Sequence, residues 1–227
     1  MSRFTYTSNI ELNIIYDVEK ATKIVCFVQK NDKLIIENIK ELSVAVYEFI
    51  IKESQKGNVK DNLVFQHVFS TFYGLNNAGL TDSFKKLYFV VFDECIDKGI
   101  FDIKYILNRL KDEKNRRGQR NMQFSFATKM IHTLDIFKPI YDNEIARLFD
   151  FKQPYGQKDF DEKLNTYINQ YEQIKFTYNK IIEKKLLENV IDMFKLRFVK
   201  YNISDYKVLD FIFWTAEKEI NNKKKAN

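Results

Sequence analysis

Apolar residues recur along this chain at spacings of three and four. In "DNLVFQHVFSTFYGL", which starts at Asp61, Val64, Val68, Phe69 and Phe72 fall on one helical face, and in "DSFKKLYFVVFDECI" Phe84, Leu87, Tyr88, Val91, Phe92 and Cys95 do the same. That period belongs to an α-helix, not to the two-residue alternation of a strand. "NNAGLT" between them reads as a turn ending at Thr81, whose hydroxyl can accept an otherwise unpaired backbone N–H as an N-cap. Gly57 and Gly99 read as helix stops. Further helices are predicted from about Asn31 to Ser54, from about Phe101 to Leu110, and from about Phe160 to Val199 with a break near Lys184. The last begins at Ser204 and turns Val208, Leu209, Ile212 and Phe213 inward, and "NNKKKAN" reads as a frayed tail. Only "FTYTSNIELNII", near the start, alternates enough to suggest a short strand or an extended arm.

Composition supports a mostly all-α, compact helical architecture. Hydrophobic residues make up 45%, while 6 Gly and 2 Pro leave little turn punctuation. A chain of 227 residues can bury a core without disulfides or structural metal. The expectation is a single helical unit over 1–227, with a scaffold lobe over about 1–115 and a second lobe over 116–227. Cys26 and Cys95 sit far apart in apolar runs and read as buried thiols, not as a disulfide. With His67 and His132 the only histidines, no metal site or cofactor is expected. No run approaches the length of a signal peptide core or a membrane span, so a soluble, cytoplasmic monomer is expected.

Charge changes the picture locally. The formal net charge is +6, and residues 104–120, "KYILNRLKDEKNRRGQR", hold seven Lys/Arg against two Asp/Glu. Such a run is either a solvated loop or a track for nucleic-acid phosphates.

Directly downstream lies "SFATKMIHTLDIFKPIYDNEIARLF", residues 125–149. On a helical projection Phe124, Phe126, Ala127, Met130, Ile131 and Leu134 form one arc, and Ser125, Thr128, Lys129, His132 and Thr133 the other. Lys129 is thus placed on the polar side, open to reading as a solvated lysine. Pro139 cannot continue a helix, so "FKPIY" must be extended, and Asp142 is placed to cap the helix that follows. A helix, an extended return and a second helix start could bring Lys129 and Asp142 to opposite walls of one cleft.

"FATKM" followed by "PIYD" resembles the helix–hairpin–helix superfamily of DNA glycosylases, in particular its 8-oxoguanine glycosylase-like branches, and most of all divergent members that lack the glycine-rich hairpin turn. The resemblance covers about 30 residues strongly, within a similar all-helical setting. It implies that Lys129 is an amine nucleophile and Asp142 its electrostatic partner, acting on double-stranded DNA with a flipped base. A base must leave the stack before its glycosidic bond can be reached. Arg116, Arg117 and Arg120 would then contact phosphates, with Gln119 near the strand gap. His132 is either a satisfied structural histidine or a proton carrier one turn from Lys129. Trp214 either closes the core or, with Tyr141, contributes to a base pocket. The competing expectations are a helical DNA binder without catalysis and a protein-interaction domain.

Overall fold

The computed structural model describes residues 18–157 and 159–226. The strand or arm expected in "FTYTSNIELNII" lies outside them. Among the described residues the fold is all-α: α1 (Val18–Lys30), α2 (Asp32–Asn38), α3 (Glu41–Ser54), α4 (Leu63–Phe72), α5 (Asp82–Lys98), α6 (Ile103–Leu110), α7 (Phe124–Leu134), α8 (Asn143–Leu148), α9 (Phe160–Glu183), α10 (Glu188–Arg197) and α11 (Asp205–Ala226). A single isolated bridge joins Leu80 and Asn115.

Local chemistry explains most of the boundaries. Thr81 caps α5 by accepting the Phe84 N–H at 3.2 Å, and Gly99 ends it with φ 60°, a left-handed conformation that costs glycine little. Ser204 accepts the Lys207 N–H at 3.3 Å at the start of α11. One boundary departs from the periodicity, and the break expected near Lys184 is present. The helix expected over 31–54 is divided because Ile39 and Lys40 are extended between α2 and α3, where no glycine or proline marks the break. The long helix ends at Glu183, and Lys185, at φ 55°, turns the chain into α10. The helix α11 continues through residues 221–226, where a frayed tail was expected.

One continuous apolar core runs from Ile24 to Ala216 and draws on helices on both sides of residue 115. Its aromatic heart packs Phe65, Phe69, Tyr88, Phe89 and Phe92 from α4 and α5 edge-to-face or tilted against one another. Two helices are central. The α11 helix packs against α1, α2, α8, α9 and α10, and α7 packs against α3 and α6. Helices surrounded in this way bury their polar arcs as well as their apolar ones, and that places charged side chains inside the molecule.

Candidate active site

Lys129 is not on a solvated face. Both arcs of α7 are covered, and from Phe126 to Thr133 every residue is buried, Lys129 being 9% exposed. The projection separated polar from apolar residues correctly but could not foresee that the polar arc would also face protein. Lys129 Nζ donates to the Tyr73 carbonyl oxygen at 3.2 Å and lies 5.0 Å from the Phe126 ring centroid and 5.8 Å from that of Tyr73.

The return from α7 to α8 is held by Thr128. Its hydroxyl oxygen accepts the Tyr141 N–H at 3.1 Å, and its O–H is shared between the carbonyl oxygens of Ser125 at 2.9 Å and Tyr141 at 3.2 Å. This clasp spans 13 residues and sets the extended segment after Pro139 against α7. Asp142 follows at once and caps α8 by accepting the Ile145 N–H at 2.9 Å. The capping role and the cleft role therefore coexist in one carboxylate.

Lys129 and Asp142 both line a cleft of about 880 Å³, within the range of small-molecule sites. Burial pushes the Lys129 ammonium below the ordinary lysine range, while Asp142 and Asp210 pull it back up and Lys207 pushes it further down. Burial likewise lifts the Asp142 carboxyl to about 6, opposed by Lys129 and by the Ile145 N–H. The low-dielectric setting thus weakens the charged form of each group, although each is the other's counter-charge.

A second lysine–aspartate pair, which the sequence reading passed over, lies in the same cleft. Lys207 and Asp210 on α11 are 3% and 7% exposed, and Lys207 Nζ donates to Asp210 Oδ2 at 2.6 Å. The Lys207 ammonium lies 4.8 Å from the Tyr47 ring centroid, 4.7 Å from Phe211, 5.7 Å from Phe72 and 5.8 Å from Tyr73. A signal existed: in "YKVLDFIFW" two opposite charges stand three residues apart inside an otherwise mostly apolar stretch, a spacing that permits a pair and, where no face is free, forces a buried one.

His132 does not line the cleft. Its Nδ1 faces the Lys138 carbonyl oxygen at 2.5 Å and must carry the proton, since a carbonyl can only accept. Its Nε2 then accepts the Tyr47 hydroxyl at 2.9 Å. Burial holds the ring near a pKa of about 4, so it stays neutral. Both nitrogens are committed, and His132 is a structural brace that orients Tyr47 over Lys207. It does not carry protons for Lys129.

Tyr141 walls the cleft, but its hydroxyl is engaged, donating to Gln170 Oε1 at 2.7 Å and accepting from Gln153 Nε2 at 3.1 Å. Trp214 is half-buried on the cleft side of α11, with Lys218 Nζ 3.4 Å from its ring centroid, while Phe213 on the opposite side is fully buried in the core. The tryptophan is therefore cleft wall, not core.

Arg116, Arg117, Gln119 and Arg120 are all exposed on the loop between α6 and α7. The loop is built rather than slack. Asn115 Oδ1 accepts the N–H groups of Arg117 and Gln119, both at 2.9 Å, Gly118 turns at φ 75°, and the Arg116 N–H donates to the Gly79 carbonyl oxygen at 2.8 Å. That last bond ties the loop to Asn77 and Ala78, which line the cleft, as do Met122 and Gln123 where the loop enters α7. None of the four residues Arg116, Arg117, Gln119 and Arg120 lines the cleft, and Arg120 lines a second pocket with Leu107, Asn108 and Gln157.

Among the described residues no His, Cys, Asp or Glu group is arranged to hold a metal ion, and no helix is long and apolar enough to cross a membrane. Cys26 is exposed and Cys95 buried, with burial lifting the Cys95 thiol to about 11. The expectation of two buried thiols thus fails for Cys26, which occupies the outer side of α1. No protein-family model, curated protein or solved structure matches the chain.

Proposed function

We propose that this protein is a DNA glycosylase that uses Lys129 as an amine nucleophile on the deoxyribose C1′ of a flipped, damaged or modified nucleotide. The observation that carries the reading is that Lys129 and Asp142 line one cleft, reached from "FATKM" and "PIYD" through the Thr128 clasp. The resemblance of those two motifs to helix–hairpin–helix glycosylases supplies the reaction class. Desolvation favours the free amine, the only form with a lone pair to donate.

In the reaction the Lys129 nitrogen forms a bond to C1′ as the C1′–N bond to the base breaks. The bonding pair leaves with the base, which takes up a proton. The amine sheds its own proton, and the Asp142 carboxylate either accepts it or stabilises positive charge developing on the sugar. Return of that proton from Asp142 to O4′ as the C1′–O4′ bond breaks opens the sugar ring and leaves a protonated Schiff base, the species from which strand cleavage at the abasic site proceeds. The exposed Arg116, Arg117 and Arg120, on the loop that leads into α7, would neutralise backbone phosphates while the base enters.

Borohydride reduction tests this directly, because hydride converts the Schiff base into a stable protein–DNA bond. Duplexes carrying an abasic site or a panel of modified bases should yield an adduct that Lys129→Ala abolishes and Asp142→Asn slows. No adduct with any duplex removes the nucleophile assignment. Salt-sensitive duplex binding that survives both substitutions without an adduct would instead make the exposed arginines the functional feature of a non-catalytic DNA binder.

A further inference from the structure

On α11 a carboxylate is buried with only part of its bonding capacity used. Asp210 is 7% exposed and lines the cleft, and its Oδ2 accepts from Lys207 Nζ at 2.6 Å, whereas among the described residues nothing donates to its Oδ1. The side-chain polar atoms sealed away without a partner are the hydroxyls of Tyr73, Tyr171 and Tyr178 and the Oδ1 of Asn169. Asp210 Oδ1 is not among them, so it opens on the cleft. A largely buried acceptor without a donor calls for one from outside the chain. The pairing also fixes which oxygen is free, because the Lys207 ammonium is enclosed by the rings of Tyr47, Phe72, Tyr73 and Phe211, and Tyr47 is tied to His132. Lys129 and Lys207 each lie 5.8 Å from the Tyr73 ring centroid, so a single ring divides the proposed nucleophile from this end of the cleft. One helical turn beyond Asp210, on the same face, Trp214 adds a flat aromatic wall. Beside it Thr215, 5% exposed, adds a cleft-lining hydroxyl that no described residue engages.

We propose that Asp210 is the base-reading residue of the cleft: its free oxygen accepts an N–H of a flipped nucleobase, so that the site takes bases presenting an amino or ring N–H group at the edge away from the sugar. The inference rests on reading the cleft as a nucleobase pocket and names what that pocket selects. A carboxylate paired with an ammonium can only accept, so the free oxygen is an acceptor of fixed position. The Thr215 hydroxyl can donate or accept and therefore discriminates little. Stacking on Trp214 discriminates little either, since every base has a π-face. Lys218 rests on that ring but is itself exposed, and an exposed cation–π contact is weak enough for a flat ligand to displace. Selection therefore falls to Asp210, because a base that lacks the donor leaves a buried carboxylate oxygen unpaired.

The test needs no catalysis. Trp214 is the only tryptophan of the chain and lines this cleft, so its fluorescence follows binding there. The probes are natural, oxidised and alkylated deoxynucleosides, each beside a counterpart methylated so that the N–H is lost. At least one N–H-bearing nucleoside should bind, and its methylated counterpart at least about tenfold more weakly, as for loss of one hydrogen bond to a charged group. In Asp210→Asn the amide oxygen takes the Lys207 donor and the amide nitrogen faces the cleft, so most of that gap should close through weaker binding of the N–H-bearing member. Both members are measured on one variant, so a lost charge or a loosened wall moves them together and leaves the gap as it was. An undiminished gap in Asp210→Asn therefore overturns the proposal, as does a wild-type protein that binds both members alike or neither. Should Asp210→Asn fail to fold, Lys207→Met combined with Asp210→Leu replaces the pair by apolar side chains and must close the gap instead. Lys129→Ala should keep the gap, and its loss there would move the selection away from Asp210. If the gap behaves in this way while no borohydride adduct forms on any duplex, the glycosylase reading fails and the base site stands. An adduct formed by a protein that shows no gap sinks the Asp210 assignment alone.

Discussion

Replacing Thr128 by valine removes one hydroxyl and almost no volume, yet it should disarm the cleft without touching either of its proposed reactive groups. Thr128 is fully buried, and its oxygen is the acceptor for the Tyr141 N–H, itself buried. Valine leaves that N–H without a partner, and an unsatisfied buried donor costs roughly 1–3 kcal/mol. The O–H bonds to the Ser125 and Tyr141 carbonyl oxygens are lost as well, although carbonyl groups tolerate this better than a stranded N–H. The segment from Pro139 to Asp142 then loses its clasp to α7, and Asp142 its fixed distance from Lys129. Urea unfolding should show a loss of about 1–3 kcal/mol with an unchanged m-value, and borohydride trapping should slow by roughly tenfold to a hundredfold, as expected for a reactive group displaced by about 1 Å. Thr128→Ser, which keeps the hydroxyl, should lose much less on both measures. Stability within about 0.5 kcal/mol of wild type together with an unchanged trapping rate would refute the clasp.

Lys129→Met should raise the midpoint of thermal unfolding, a gain on the order of 1 kcal/mol, while abolishing the adduct, because the native fold buries an amine it disfavours as an ion. A loss of stability would contradict that burial. The trapping rate should fall as pH drops through about 6, where Asp142 takes up a proton, and a rate that holds level to well below that pH would show that the carboxylate is not needed in its charged form. His132 stays neutral in the fold down to about 4, whereas the unfolded chain protonates it near its usual 6.5, so stability drains away as pH falls between these values and is constant below them. His132→Gln should remove roughly 3 kcal/mol of that acid-side loss, measured by urea unfolding across the window. Single Arg116→Ser, Arg117→Ser or Arg120→Ser changes should weaken duplex binding and lower the slope of log affinity against log salt by about 1 each, and an unaltered slope would place the phosphates elsewhere.

Features that depend on covalent geometry were readable from the chain. Pro139 forced the extended return, Thr81, Asp142 and Ser204 announced helix starts by their side-chain oxygens, and Gly99 announced a stop, since none of these depends on what lies nearby. Features that depend on which helix becomes central were not. Periodicity assigns a polar arc to solvent by default, and for Lys129 and His132 that default fails because α7 is enclosed. For the same reason Lys207 and Asp210 were lost among the apolar residues of α11, where attention to a core stripe hides a charged pair that the core itself must neutralise. Ile39 and Lys40 break the helix expected over 31–54 with no composition cue at all, and the packing of α2 against α1, α10 and α11 accompanies it.

The aromatic rings around Lys207 come from distant parts of the chain. Tyr47, Phe72 and Tyr73 are made early, whereas Lys207, Asp210 and Phe211 belong to α11, the last of the described helices. A chain leaving the ribosome therefore passes through a stage in which α7 can form while the wall that α11 provides is absent and water still reaches Lys129. At that stage Lys129 is an ordinary ammonium, with nothing to distinguish it from the other lysines. Docking of α11 dries the cleft and closes the ion pair in the same event. The reactivity proposed for Lys129 would then depend on α11 having docked.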